Sequence, residues 1–258
     1  MSQDLLVDIS ESVLTLTLNR PESLNAFSAD MILGITNAIK EARTNPEIRA
    51  IVIRGAGRAF CAGGDVKSMG SGGPINTYDF IARLNECILT MRDTEKPIIA
   101  VVHGYAAGAG SSLALAADLI LAAEGSKFAL SFAQVGLISD GGGSYHLTKL
   151  IGPYLAKQFY FSAEPIPVER MYQLGVVNEI VPQENLDEEV RKLAQKLANG
   201  PSRAHGVQKK IINRAVTATL EEVLEMERIS QPLMNLTEDH KEGVTAFKEK
   251  RKPVFKGK

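Results

Sequence analysis

Three short apolar runs constrain this 258-residue chain more than anything else in it: Ala50-Ile51-Val52-Ile53, Ile98-Ile99-Ala100-Val101-Val102, and a run over about Leu119 to Ala123. Each is too short for a packed helix and lacks the alternation of a strand with one wet face. Strands buried on both faces belong to parallel sheets covered by helices. The first run ends in Gly55-Ala56-Gly57 and the second leads into a Gly-rich turn. Between them lie segments of helical period. Met31, Ile35, Ala38 and Ile39 share one face of a helix that starts at a cap on Ser28 or Asp30 and runs to about Arg43, and a second helix spans about 79–92. Strand, turn and helix at this spacing predict an α/β fold with mainly parallel pairing.

Two strands come earlier, over 4–9 and 13–19. In the second, Val13-Leu14-Thr15-Leu16-Thr17-Leu18 alternates apolar residues with Thr. A helix from about Ala109 to Ala116 follows the second run, and a loop over 134–143 comes after the third. The last third reads as helices over 144–160, 167–173, 186–198, 201–215, 219–236 and 238–249. Val176 to Val181 is the one clear strand signal there. The chain therefore divides into a core over 1–200 that carries the site and a helical C-terminal segment over 201–258, with no low-complexity linker between them.

Composition removes several classes. A net charge of −1 argues against a general grip on nucleic acid, which takes a clustered basic surface. Cys61 and Cys87 are the only cysteines and show no ligand spacing, so neither a disulfide framework nor a metal site is expected. No stretch is apolar for long enough to cross a bilayer, and the first residues do not read as a signal peptide. A cytoplasmic location is the default expectation.

Three turns carry candidate chemistry. In Arg58-Ala59-Phe60-Cys61-Ala62-Gly63-Gly64-Asp65, small residues after a buried strand let backbone N–H groups approach an anion; an ordinary strand-to-helix turn has the same composition. In His103-Gly104-Tyr105-Ala106-Ala107-Gly108-Ala109-Gly110-Ser111-Ser112, small residues open a helix whose first N–H groups have no internal acceptor; close helix–strand packing also asks for small residues. In Val135 to Ser144, Asp140 is the one acid in an apolar, Gly-rich stretch. It is either a proton-transfer group raised in pKa by burial or the cap of a helix starting near Gly143. Cys61, with no base nearby in sequence, reads as a packed residue. Tyr145 and His146 are candidates for an acyl pocket, and His103 is a weak catalytic candidate.

In order and spacing these turns resemble the enoyl-CoA hydratase/isomerase, or crotonase, family. The match runs from Asn19-Arg20-Pro21-Glu22-Ser23-Leu24-Asn25-Ala26 to Glu242 through Pro253, and its strongest piece is Ala59 through Asp65. The resemblance implies a spiral of ββα units with a helical C-terminal trimerisation segment, assembled as a homotrimer or hexamer. It implies an acyl-CoA thioester substrate, with coenzyme A part of the substrate and no separate cofactor. The thioester oxygen would sit between the N–H groups of Gly64 and Ala109. Leu24, Ala26, Ala62, Asp65 and Val66 would line the path of the coenzyme, and Lys250 would reach the nucleotide of a neighbouring subunit. Ser23 stands where the family often has Lys.

The hydratases of the family use two glutamates to activate one water. The matching positions here are Ser112 and Phe132, neither of them acidic. Asp140 matches the acid of double-bond isomerases, including ring-type enoyl-CoA isomerases. The resemblance therefore implies an isomerase with Asp140 as a single proton shuttle between the alpha and gamma carbons, and with Ser112 and Phe132 lining the substrate. Hydration of a 2-enoyl-CoA and non-catalytic acyl-CoA binding remain as alternatives.

Overall fold

The computed structural model describes residues 3–65 and 73–258. Six strands form the main sheet. β1 (Leu5–Ser10) pairs antiparallel with β2 (Val13–Leu18); β3 (Ala50–Gly55) and β4 (Ile98–Val102) continue it in parallel. Between them lie α1 (Ala29–Thr44) and α2 (Gly73–Asp93). The chain then forms β5 (Tyr105–Ala107), α3 (Ala109–Leu115), β6 (Leu119–Ala123), β7 (Lys127–Ala129), α4 (Gly143–Ile151), α5 (Pro153–Ser162), β8 (Ile166–Pro167), α6 (Val168–Gln173) and β9 (Glu179–Val181). The main sheet has the order β1-β2-β3-β4-β6-β9, parallel throughout except at β1. The C-terminal helices are α7 (Leu186–Ala198), α8 (Ser202–Ala215), α9 (Leu220–Asn235) and α10 (Glu238–Glu249).

Side chains alternate across the sheet. Leu14, Leu16, Ile51, Ile53, Ala100 and Val102 enter the larger core with α1 and α2. Val13, Ala50, Val52, Ile99, Val101 and Leu121 face the opposite way, onto Leu186, Val190 and Ala194 of α7. Burial on both faces is why these strands read as unbroken apolar runs.

A second layer crosses the ends of the main sheet. β5 pairs with β7 and β7 with β8. Single bridges join Cys61 to Ala106 and Phe27 to Gly64. After β2, β3, β4 and β6, the chain thus takes part in a second, shorter pairing before the next helix. That repetition is the spiral of ββα units expected above, and it stacks the turns from successive units against each other.

The elements differ from expectation in particular places. Ser28, not Asp30, caps α1, its Oγ accepting from Met31 N at 3.1 Å. α2 starts earlier, at Gly73, because Pro74 is tolerated in a first helical turn, where a missing N–H costs nothing. The single helix expected over 144–160 is two. Gly152 at φ 78° ends α4, and Pro153 opens α5. The strand expected over 176–181 shrinks to Glu179–Val181. The short strands β5, β7 and β8 carry too few residues to show a period.

Asn25 ties the first turn together. It is fully buried and left-handed at φ 58°, a conformation Asn tolerates better than most residues. Its Nδ2 donates to the carbonyls of Ala56 and Ala59, both at 2.8 Å, and its Oδ1 accepts from Arg20 N at 2.9 Å. Asn25→Ala should lower the unfolding free energy by about 3 kcal/mol, because buried carbonyls lose their donors. Urea denaturation followed by circular dichroism measures this, and a loss below about 1 kcal/mol would mean that water replaces the amide.

Candidate active site

The first two turns lie in backbone contact. Ala107 N donates to Cys61 O at 2.8 Å, and Cys61 N donates to Tyr105 O at 3.1 Å. Gly63, at φ +86°, sits so close to the second turn that a Cβ there would stand 2.6 Å from Ala107 O and 2.8 Å from Ala109 N. Gly110 presses on Cys61 in the same way, a Cβ falling 2.8 Å from the Cys61 Cβ. Gly108 precedes α3 at φ 49°, ψ −128°, a region open to glycine and hardly to other residues.

Several N–H groups of these turns are left without a backbone acceptor among the described residues, those of Gly64 and Ala109 included. The bridge between Phe27 and Gly64 uses the carbonyl of Gly63, which accepts from Phe27 N at 2.7 Å, not the N–H of Gly64. Ala109 is the first residue of α3, where an N–H has no intrahelical partner. Among the described residues, neither N–H donates to a backbone acceptor.

Other candidates gather around these turns. Leu24 O accepts from Ala62 N at 2.9 Å, and Ala26 O accepts from Arg20 Nη1 at 2.8 Å. Arg20 Nη2 also holds Asp65, at 3.1 Å. The Phe132 ring lies 4.0 Å from where a Cβ on Gly108 would stand, and Ser112 lies one helical turn after Ala109. Val66 lies outside the described residues. Lys250 stands apart from the turns, exposed at the left-handed C-cap of α10.

Asp140 is not a helix cap. The cap position of α4 is Gly142, and no side chain bonds there. The Asp140 Oδ1 atom is buried without a partner. Burial pushes its carboxyl up from 3.8 to about 6, offset only in part by its own backbone N–H. Ser112 Oγ is likewise buried and unpartnered, and Ser112 packs against Gly141, where a Cβ would meet its own at 3.1 Å. The third turn thus packs the residue after its acid against Ser112, at the end of the second turn.

Cys61 is a packed thiol. Its Sγ donates to Asn25 O at 3.0 Å, and burial pushes its pKa up to about 12, far from a nucleophile's. His103 Nε2 lies 3.0 Å from Gly57 O, and burial lowers its pKa. Tyr145 and His146 line a separate cavity of about 530 Å³ beneath α8. The acid of that cavity, Asp118, is already committed to Ile98 N and Lys209. Sequence reasoning missed Ser139 and Tyr160, whose hydroxyls lie 3.2 Å apart beside Asp140. Neither carries a motif; only adjacence to Asp140 marks Ser139.

A parallel sheet wound into ββα units, with glycine turns of successive units facing each other, defines the crotonase class of fold. The pattern of the enoyl-CoA hydratase/isomerase family matches residues 8–258, and the chain belongs to that family of enzymes. The 1,2-epoxyphenylacetyl-CoA isomerase of Escherichia coli strain K12 is 36% identical over the full length of both chains. A probable enoyl-CoA hydratase of Rhodobacter capsulatus is 37% identical over 97% of each. The solved structure of an enoyl-CoA hydratase from a Polaromonas species superposes with a TM-score of 0.94 at 35% identity, covering 97% of this chain and 99% of that one. Among the described residues, no helix is long and apolar enough to cross a membrane.

The raised carboxyl of Asp140 has a consequence for stability. Its folded pKa, near 6, lies above the usual 3.8, so the folded protein binds this proton more tightly than the unfolded chain does. Ionisation therefore costs stability as pH rises from about 4 to 6, and the full cost persists above. Asp140→Asn should stabilise the protein by about 1–2 kcal/mol at pH 7, after allowance for partial exposure, and by almost nothing at pH 4. Denaturation of both proteins at the two pH values reads the difference.

Proposed function

We propose that this enzyme moves a carbon–carbon double bond in an acyl-CoA thioester, converting a 3-enoyl-CoA or a ring-type equivalent to the 2-enoyl-CoA. Asp140 carries the proton, and the N–H groups of Gly64 and Ala109 receive the thioester oxygen. Loss of a proton from the alpha carbon leaves an enolate whose charge collects on that oxygen. Two preorganised donors stabilise it, and losing one such donor typically costs about 3 kcal/mol. Atom balance fixes the direction. The proton leaves the alpha carbon and returns at the gamma carbon, the bond shifts between them, and no water is consumed. A carboxyl with a pKa near 6 both accepts and returns a proton near neutrality.

The observation that carries this reading is the buried, partnerless carboxyl oxygen of Asp140, in a chain with Ser112 and Phe132 at the two positions where the family's hydratases have acids. Hydration of a 2-enoyl-CoA is the second reading. Several relatives bear hydratase names, the 2,3-dehydroadipyl-CoA hydratase of Escherichia coli strain K12 among them, and Ser112 offers a free hydroxyl. Leu24, Ala26, Ala62, Asp65 and Val66 would line the coenzyme's path. The substrate supplies the coenzyme A, and no separate cofactor enters the scheme.

Asp140→Asn should lower 3-enoyl-CoA isomerisation by at least about 10³-fold while keeping thioester affinity, and Gly63→Ala, which forces the two turns apart, should lower kcat by about 10²-fold or more. Isomerisation that survives Asp140→Asn sinks the assignment. Rapid conversion of crotonyl-CoA to 3-hydroxybutyryl-CoA would favour hydration instead.

The assembly we propose is a homotrimer or a hexamer, with Lys250 reaching a neighbour's nucleotide. Support comes from α9, which buries no residue and leaves Leu220, Leu224, Ile229 and Leu233 exposed, with Leu236 exposed at its C-cap. Exposed apolar residues on both sides of a helix that buries nothing are characteristic of an interface. Mass photometry should find three or six chains per particle; a single 27.9 kDa species would remove this part of the proposal.

A further inference from the structure

The stretch of chain that carries Asp140 has few ties of its own. Residues 133–138 before it are all exposed, and Gly136, Gly141 and Gly142 take left-handed backbone, which glycine adopts at least cost. Among the described residues, no backbone hydrogen bond joins 138–142 to another element; Asp140 O accepts from Gly143 N at 3.1 Å, within the same turn. Gly141 meets the core, a Cβ there falling 3.1 Å from Ser112 and 3.2 Å from Leu84. Fixing the backbone of such a loop costs about 1–2 kcal/mol per residue, and other contacts must offset it.

Those contacts come from α5. Tyr160 OH lies 3.2 Å from Ser139 Oγ, on the residue before Asp140, and also bonds the hydroxyl of Ser144, beyond the glycines that follow it. A phenol oxygen can accept and donate at once, so it serves both serines whichever way the protons point. Further back, Gln134 Nε2 donates to Ala163 O at 2.9 Å, at the end of the same helix. The Tyr160 ring is itself anchored: it packs on the larger core, with its centroid 6.4 Å from that of Phe132. Gly143 lets the contact close, since a Cβ there would stand 2.7 Å from Ser139 Oγ and 2.9 Å from Tyr160 OH.

We propose that Tyr160 is a positioning residue for the proton transfer, its hydroxyl bracketing Asp140 through Ser139 and Ser144 and so holding the acid in its buried place. The inference rests on Asp140 being the proton shuttle, as proposed above. Tyr160 itself touches no reacting atom in this scheme. Burial raises its pKa, and the Asp140 charge adds to the rise, so the phenol stays protonated and brings no charge to the acid. The Asp140 carboxyl is raised by burial against the pull of its own backbone N–H, and no charged side chain contributes. Its ionisation therefore reports how well the loop is kept in place. A released loop lets water reach the carboxyl, and the value falls toward 3.8.

The test is the pH dependence of 3-enoyl-CoA isomerisation in wild type and in Tyr160→Phe, which keeps the ring and its packing. Wild type should gain rate as pH rises through about 6, where Asp140 ionises. In Tyr160→Phe, kcat should fall about tenfold with KM changed less than about twofold, and the midpoint should move down by at least about half a pH unit. Ser139→Ala should repeat this, whereas Ser139→Thr, which keeps the hydroxyl, should stay close to wild type. The double variant Tyr160→Phe with Ser139→Ala should be no worse than Tyr160→Phe alone, because both remove one contact. A hydroxyl that merely stabilises the fold will lower the melting temperature of the variants and leave the midpoint where it is. That result overturns the proposal while the isomerase reading stands. A wild type that isomerises no 3-enoyl-CoA at any pH removes that reading and this one with it.

Discussion

Everything at this site depends on two loops that approach too closely for side chains to stand between them. The turns at 61–64 and 106–110 are joined by main-chain hydrogen bonds, and the virtual Cβ contacts of Gly63 and Gly110 show how little room remains. A contact of that kind is held from behind. Each turn follows a strand of the main sheet that is buried on both faces, so neither can retreat without exposing core. Asn25 closes the arrangement from the side, giving the first turn the hydrogen bonds it cannot make to itself. The stiffness that presents two N–H groups in fixed positions is therefore a property of the whole sheet.

The same region leaves polar atoms unmatched. Among the described residues, five buried side-chain atoms lack a partner, and those of Ser112 and Asp140 lie together here. Folded proteins rarely leave such groups unpaired, because each costs free energy. Their concentration beside the glycine turns follows the familiar opposition between stability and activity: the groups that weaken the fold are the ones with capacity left for a ligand.

Much of the fold was legible in the sequence because long-range burial leaves a local trace. The runs at 50–53, 98–102 and 119–123 are apolar throughout, and that alone indicates parallel strands between helices. α7 was readable to the residue because Leu186, Val190, Ala194 and Ala198 keep helical spacing along one face. What was not legible involves geometry with no period. β5, β7 and β8 are two or three residues long, and the break at Gly152-Pro153 was hidden inside an apolar pattern that continues on both sides. Asp140 was visible as an acid out of place, but whether it capped α4 depended on where the helix began. Tyr160 was invisible as a site residue. Its hydroxyl meets that of Ser139 across 21 residues of chain, and no local rule anticipates such a contact.

The proposed use of main-chain donors also shapes how this protein tolerates mutation. Proline alone among the residue types lacks an amide hydrogen, so nearly every codon change at positions 64 and 109 keeps the donor. Fragility moves instead to the neighbours that set the approach, Gly63, Gly108 and Gly110, where even one added methyl group meets backbone or must adopt a backbone conformation it resists. Meanwhile, positions 112, 132, 139, 140 and 160 can vary without disturbing those donors. On the proposed mechanism, a lineage built this way can exchange one reaction for another by drifting at a handful of side chains while its means of holding negative charge is inherited unchanged.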